Sequence, residues 1–219
     1  MNIYAYFLDN QRQPIHKSVH YFMVYERHFR RYVGLPVTML EIGTGGGGSS
    51  QMWKRYFGPL ARIITVDVRP ECREFEDDQV KVRIGNQSDP AFLESIVTEF
   101  GSPDIVLDDG SHQMADVIAT FGFLYSKVTR NGTYMVEDMH TAYWKDWGGG
   151  FRREGTFIEM CKNLIDELNA DHTQGALDPT SFTRGTTSMH FYDSIVVFER
   201  GGYLTKRSVV SGDPNLPFG

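Results

Sequence analysis

Cysteine is scarce in this chain. Its 219 residues include two, Cys72 and Cys161, whose separation fits neither a metal-ligand spacing nor a disulfide framework. Such usage suits a reducing compartment, and the expected location is the cytoplasm. No apolar run approaches the ~20 residues needed to span a bilayer. The segment from Met1 to Pro14 lacks a basic stretch followed by an apolar core, so no signal peptide is expected. Long basic runs are missing too, and the formal net charge of −6 argues against a nucleic-acid backbone as partner. No internal repeat and no linker divides the chain, which is long enough to bury a substantial core as one domain.

What is present is an alternation of short apolar runs and helical segments. Residues 15–34 carry Val19, Phe22, Met23, Phe29 and Val33 at mixed three- and four-residue spacings, which predicts a helix. Strands are expected at 37–42, 62–67, 79–84, 104–108 and 133–137, with helices at about 49–57, 91–100, 113–126 and 155–170. Asp89 and Pro90 read as the cap and first turn of the second of these helices. Two further strands, 188–192 and 194–198, read as an antiparallel hairpin across Asp193. The pattern predicts an α/β fold: a Rossmann-like, doubly wound, mostly parallel seven-stranded sheet ending in that hairpin. Residues 1–36 form an N-terminal helical segment, 37–210 the main domain, and 211–219 a loose tail. His16, Lys17, His20 and Tyr21 lie either on a solvated helix face or on a lid over the site.

Two of the apolar runs end in paired acids with a histidine close behind. One leads into Asp108, Asp109, Gly110, Ser111 and His112; the other into Glu137, Asp138, Met139 and His140. Strand interiors expel charge, so acids at strand exits mark a place that wants negative charge, such as a divalent-cation site served by a proton-transferring imidazole. Each pair also has a plainer reading, as a helix cap or a polar strand end. Upstream, Gly43, Gly45 and Gly48 match the dinucleotide-loop pattern after a strand, and Asp67 ends the next strand where it can accept ribose hydroxyls. Glu41, two residues before Gly43, suits the ammonium of a methionine moiety better than a pyrophosphate. Asn86 and Gln87 suit an adenine edge. S-adenosylmethionine is therefore the better ligand than NAD.

With these residues in place the chain resembles the class I S-adenosylmethionine-dependent methyltransferases, and more narrowly the metal-dependent sugar O-methyltransferases of the macrocin and mycinamicin type. The resemblance rests on Leu40 to Gly43, Gly85 to Asp89, Asp108 to His112, and Glu137 and Asp138 followed by Thr141 to Trp144. It implies Mg²⁺ or another divalent cation held by Asp109, Glu137 and Asp138, His112 as base, and Asp108 facing the cofactor. It also leaves a homo-oligomer open. The expected reaction is O-methylation of a sugar hydroxyl on a glycan or glycosylated natural product. Tyr143, Trp144 and His140 are the candidate substrate contacts, though the two aromatic rings can equally pack their loop down. A catechol-like diol acceptor, an NAD-dependent oxidoreductase and a non-catalytic S-adenosylmethionine-binding protein are the competing readings.

Overall fold

The structure is a computed structural model, and it describes residues 2–212. Five parallel strands, β1 (Thr38–Ile42), β2 (Arg62–Asp67), β3 (Val80–Ile84), β4 (Ile105–Asp108) and β5 (Thr133–Val136), are followed by an antiparallel pair, β6 (Thr186–Tyr192) and β7 (Ile195–Arg200). They form one sheet in the order β3-β2-β1-β4-β5-β7-β6, with β7 running antiparallel to β5. The expected doubly wound sheet and its C-terminal hairpin are both there. Part of the expected loose tail, residues 213–219, lies outside the described residues.

Alternate strand residues feed two cores. Met39, Ile63, Ile105, Leu107 and Met135 face α1 (Ile3–Asp9), α2 (Tyr21–Phe29) and α3 (Gly48–Phe57). Leu40, Ile64, Val106, Tyr134 and Val136 face α4 (Pro90–Phe100), α5 (Met114–Leu124), α6 (Phe157–Leu168) and the short α7 (Ser181–Gly185). A strand buried on both faces has no polar side, which is why these segments read as continuous apolar runs. Asp89 caps α4 through Ala91 N at 2.9 Å, with Pro90 in the first turn, as expected.

The N-terminal segment departs from expectation. The helix expected over 15–34 is shortened to α2 and a 3-10 turn, Arg30–Tyr32, and an irregular strap, residues 10–20, separates it from α1. Of the expected apolar set Phe22 and Phe29 are buried, but Val19, Met23 and Val33 are exposed; Tyr21, Val24 and Tyr25 are buried as well, with Tyr25 and Phe29 against Trp53 and Phe29 also against Phe57. Aromatic side chains dominate that burial, and at roughly 1.5–3 kcal/mol for each fully buried large side chain they outweigh a weak periodic pattern. The segment is thus a core layer, and only its strap lies over the sheet's edge. His28 ties it down further, with Nδ1 2.6 Å from Glu199 Oε1 at the end of β7.

The strap lies against the glycine loop. A Cβ on Gly48 would meet the carbonyl oxygens of Pro14 at 2.4 Å and Gln13 at 2.6 Å. Gly48→Ala is therefore expected to destabilise the fold by about 1–3 kcal/mol, as overpacking against backbone does, with the loss read from the urea midpoint. An unchanged midpoint would mean that the strap does not rest on the loop.

Candidate active site

The parallel strands end in register. Ile42 pairs with Val66 on one side and Asp108 on the other, and Asp108 pairs with Val136. One residue beyond this row stand Gly43, Asp67, Asp109 and Glu137. The sheet order reverses between β1 and β4, so these residues border the crevice where doubly wound sheets bind ligands. Gly43 lets the two loops close together: its φ is +97°, and a Cβ there would lie 2.2 Å from the carbonyl oxygen of Asp109.

A cavity of about 390 Å³ opens at this crevice, lined by Gly43, Gly45, Asp67, Asn86, Gln87, Asp109 and Ser111 among others. Asp67 accepts from Gly45 N at 3.1 Å and from the backbone and side chain of Arg69. Burial raises its carboxyl, but the Arg69 and Gly45 donors outweigh that and hold it below the ordinary carboxylate value. Asn86 lines the cavity while its Oδ1 caps Ser88 N at 2.9 Å. Gln87 is a bracket as well as a wall: it donates to Asp108 Oδ1 at 3.2 Å and accepts from Ser111 N at 2.7 Å.

Two of the expected cofactor residues do not reach this cavity. Glu41 is fully buried beneath the loop, where Trp53 Nε1 donates to one oxygen at 2.8 Å and Ser50 Oγ to the other at 3.1 Å. Asp108 points inward, with one oxygen on Gln87 and the other, Oδ2, buried without a partner. Burial, with Asp109 and Asp116 adding to it, pushes the Asp108 carboxyl up to about 7 against the pull of Gln87 and the Gly110 amide. In both cases a carboxylate at or next to a strand's last residue points into the protein rather than out over the edge.

The acids beyond the row come together with the first histidine. Single ligand atoms of Asp109, His112 and Asp138 all lie within 4.8 Å of one another. His112 Nε2 stands 3.5 Å from Asp138 Oδ2 and 3.8 Å from Asp109 Oδ1. Among the described residues five non-glycine residues have positive φ, and His112, Asp138 and the neighbouring Ser194 are three of them. Strained backbone concentrated at one set of polar side chains is characteristic of functional sites. Glu137 is adjacent but differently placed. Its side chain is 1% exposed, with one oxygen bonded to the Tyr25 hydroxyl and the other 2.7 Å from Lys17 Nζ. Burial and nearby Asp109 push the Glu137 carboxyl up; the Lys17 ammonium and the Tyr25 hydroxyl pull it back.

The candidate substrate contacts sit beyond Asp138. His140 and Tyr143 line a second cavity of about 240 Å³ with Ile158, Phe191 and Ser194. Trp144 is half exposed and stacks edge-on against His140, with ring centres 4.6 Å apart. A larger groove of about 790 Å³ lies between α1 and α3, and none of its lining residues belongs to a strand exit.

Sequence reasoning leaves Lys17 and Tyr21 between a solvated face and a lid, and it misses Tyr25. Tyr21 donates to Asp138 Oδ1 at 2.5 Å and Lys17 to Asp109 Oδ2 at the same distance. The available signal was a lysine and two tyrosines following Pro14, outside any clean helical stripe.

No protein-family model matches the chain. It is 36% identical over 193 residues to the mycinamicin VI 2''-O-methyltransferase of Micromonospora griseorubida, an alignment covering 81% of this chain and 47% of that protein. It is also 36% identical over 190 residues to the 8-demethyl-8-alpha-L-rhamnosyl tetracenomycin-C 2'-O-methyltransferase of Streptomyces olivaceus, covering 82% and 50%. The chain is a homologue of these sugar O-methyltransferases. Among solved structures, the MycE methyltransferase of the mycinamycin biosynthetic pathway, in complex with Mg, SAH and mycinamycin VI, superposes with a TM-score of 0.79 at 33% identity. That match takes in 91% of this chain and 53% of the methyltransferase. The chain thus spans about half the length of the methyltransferases it matches.

Proposed function

We propose that this chain is an S-adenosylmethionine- and divalent-metal-dependent O-methyltransferase acting on a sugar hydroxyl of a glycosylated natural product. The observation that carries the proposal is the double role of Asp109. It lines the cavity at the glycine loop and also belongs to the Asp109, His112 and Asp138 cluster, so a cofactor and an ion would share one wall. One curated relative acts by name on a rhamnosyl tetracenomycin and another on mycinamicin VI, and the MycE structure holds Mg, SAH and mycinamycin VI together.

The residues present fit both groups. Gly43 and Gly45 provide a backbone-lined turn, Asp67 an acceptor at the strand end, and Asn86 and Gln87 amides along the far wall. Carboxylate oxygens of Asp109 and Asp138 are the hard donors that Mg²⁺ takes, and Glu137, which the family resemblance adds, stands directly behind them. When bound, the cofactor supplies an electrophilic methyl group and the ion lowers the pKa of an acceptor hydroxyl. The chain's own part is to place that hydroxyl and remove its proton. His112 Nε2 accepts the proton, and the nearby Asp109 and Asp138 carboxylates stabilise the imidazolium that results. His140 and Tyr143 receive the acceptor's ring, positioning it before any chemistry.

Methyl transfer from S-adenosylmethionine to a panel of rhamnosides and other glycosides, run beside catechols, tests the reading. Transfer to a glycoside, abolished by EDTA and restored by Mg²⁺, is expected. Transfer to catechols alone would move the acceptor to phenolic diols. Calorimetric binding of NAD in place of S-adenosylhomocysteine would overturn the cofactor assignment.

A further inference from the structure

The hairpin of β6 and β7 turns on two residues, Asp193 and Ser194, between the paired Tyr192 and Ile195. Ser194 has a φ of +64°, which glycine adopts freely and serine only under strain. Both of its polar groups are engaged with the exit loop of β5. The carbonyl accepts from Met139 N at 2.9 Å, and Oγ accepts from His140 N at 3.2 Å. The same Oγ meets His140 Nδ1 at 2.5 Å, and the Tyr21 hydroxyl lies 3.0 Å from it. Trp144 fixes the imidazole further, edge-on with ring centres 4.6 Å apart. Every polar contact of the ring runs through Nδ1, which leaves Nε2 without a partner among the described residues.

His140 and Ser194 line the cavity of about 240 Å³, and Ile158, Phe191, Ile195 and Val196 make much of its remaining wall apolar. That volume is below the roughly 300–1,000 Å³ of a pocket for a drug-sized ligand, and it suits one sugar ring. In such a cavity the few polar groups decide what is recognised. His140 Nδ1 also lies 4.0 Å from Asp138 Oδ1, so the cavity adjoins the Asp109, His112 and Asp138 cluster. We propose that Ser194 is a positioning residue for acceptor recognition, holding His140 so that Nε2 bonds a second hydroxyl of the sugar being methylated. The proposal rests on the glycoside reading above and adds a requirement to it, a further free hydroxyl on the same ring. Either tautomer of His140 serves, because a sugar hydroxyl both donates and accepts. The strain at Ser194 then has a use: glycine would ease the turn and release the ring.

Calorimetry on the full chain with S-adenosylhomocysteine and Mg²⁺ present reads acceptor binding without turnover. The probes are nitrophenyl α-L-rhamnoside, the corresponding glucoside and galactoside, and the monodeoxy analogues of whichever binds. S194A is expected to weaken glycoside binding about tenfold, the worth of one good hydrogen bond. In turnover the loss should appear in KM, with kcat within about threefold of wild type. H140A should lose as much, and the double variant no more than H140A, since Ser194 acts through the ring. Wild type should bind one monodeoxy analogue about tenfold more weakly than its parent, whereas S194A binds the two alike. If S194A does not fold, S194G takes its place, because glycine suits the positive φ. A lower thermal midpoint with unchanged glycoside affinity would make Ser194 a clamp on the loop, overturning the proposal while leaving the glycoside reading intact. A further loss on adding S194A to H140A would overturn it too, as would discrimination among the analogues that S194A leaves unchanged. Binding of none of the glycosides by wild type would overturn the glycoside reading, and the proposal with it.

Discussion

His112→Ala is expected to lower the rate of methyl transfer by about 10²–10⁴-fold, the usual contribution of a positioned general base, with S-adenosylhomocysteine affinity held within about threefold. The asymmetry follows from position. His112 does not line the cavity at the glycine loop, whereas its Nε2 faces both outward carboxylate oxygens at 3.5 and 3.8 Å. An acceptor hydroxyl entering between Asp109 and Asp138 would meet that nitrogen on arrival. The ring also lies beside Trp147, with centres 5.7 Å apart, so it is held at the mouth of the site. A merely structural role would show itself differently. Because φ at His112 is +56°, alanine there costs backbone strain, and the thermal midpoint would fall while the rate per folded molecule held. Single-turnover rates with calorimetry on the same preparation separate the two, and turnover within threefold of wild type would remove His112 from the chemistry.

Asp108→Asn is the second large effect, and it falls on stability. Burial raises the Asp108 carboxyl from 3.8 to about 7, so folding takes up a proton across that interval. A raised acid favours the folded state fully below its unfolded value, near pH 4. The benefit is lost as pH rises, and above about pH 7 the buried charge is borne in full. Three units correspond to on the order of 4 kcal/mol. Asparagine keeps the shape and the bond from Gln87 while carrying no charge. The variant should therefore match wild type near pH 4 and exceed it by several kcal/mol at pH 8 in urea unfolding with EDTA present. Parallel stability curves for the two proteins from pH 4 to 8 would show that Asp108 carries no buried charge.

The two acids at the end of β4 show how far a sequence carries such an argument. Aliphatic runs that stop at Asp108 and at Glu137 identify strand exits, because a buried parallel strand is apolar on both faces and charge ends it. The sheet and its hairpin follow from that local logic, whereas the choice of Asp109, Glu137 and Asp138 for an ion and His112 for the proton comes from the family resemblance. Which way each carboxylate points follows from neither. Asp108 and Glu41 turn inward because Gln87 and Trp53 await them there, and those contacts join residues 21 and 12 positions apart. Lys17 was harder still. A lysine among histidines after a proline reads as solvated or as part of a lid, and the packing of Tyr21 and Tyr25 against the core carries it into the site. Aromatic burial decided the placement of the N-terminal segment, and hydrophobic spacing alone does not report it.

The Lys17 bridge also sets an order on how the site comes into being. Its two partners are 92 and 120 residues away along the chain. Contacts of that span close the largest loops and pay their entropy before any return. During synthesis, residue 17 emerges well before Glu137 exists, and until then its ammonium has only water for company. Both partners stand just past β4 and β5, so the bridge closes only once those two strand ends are in place. Acquisition of a native acid cluster should therefore be among the last events in refolding, after the secondary structure is complete.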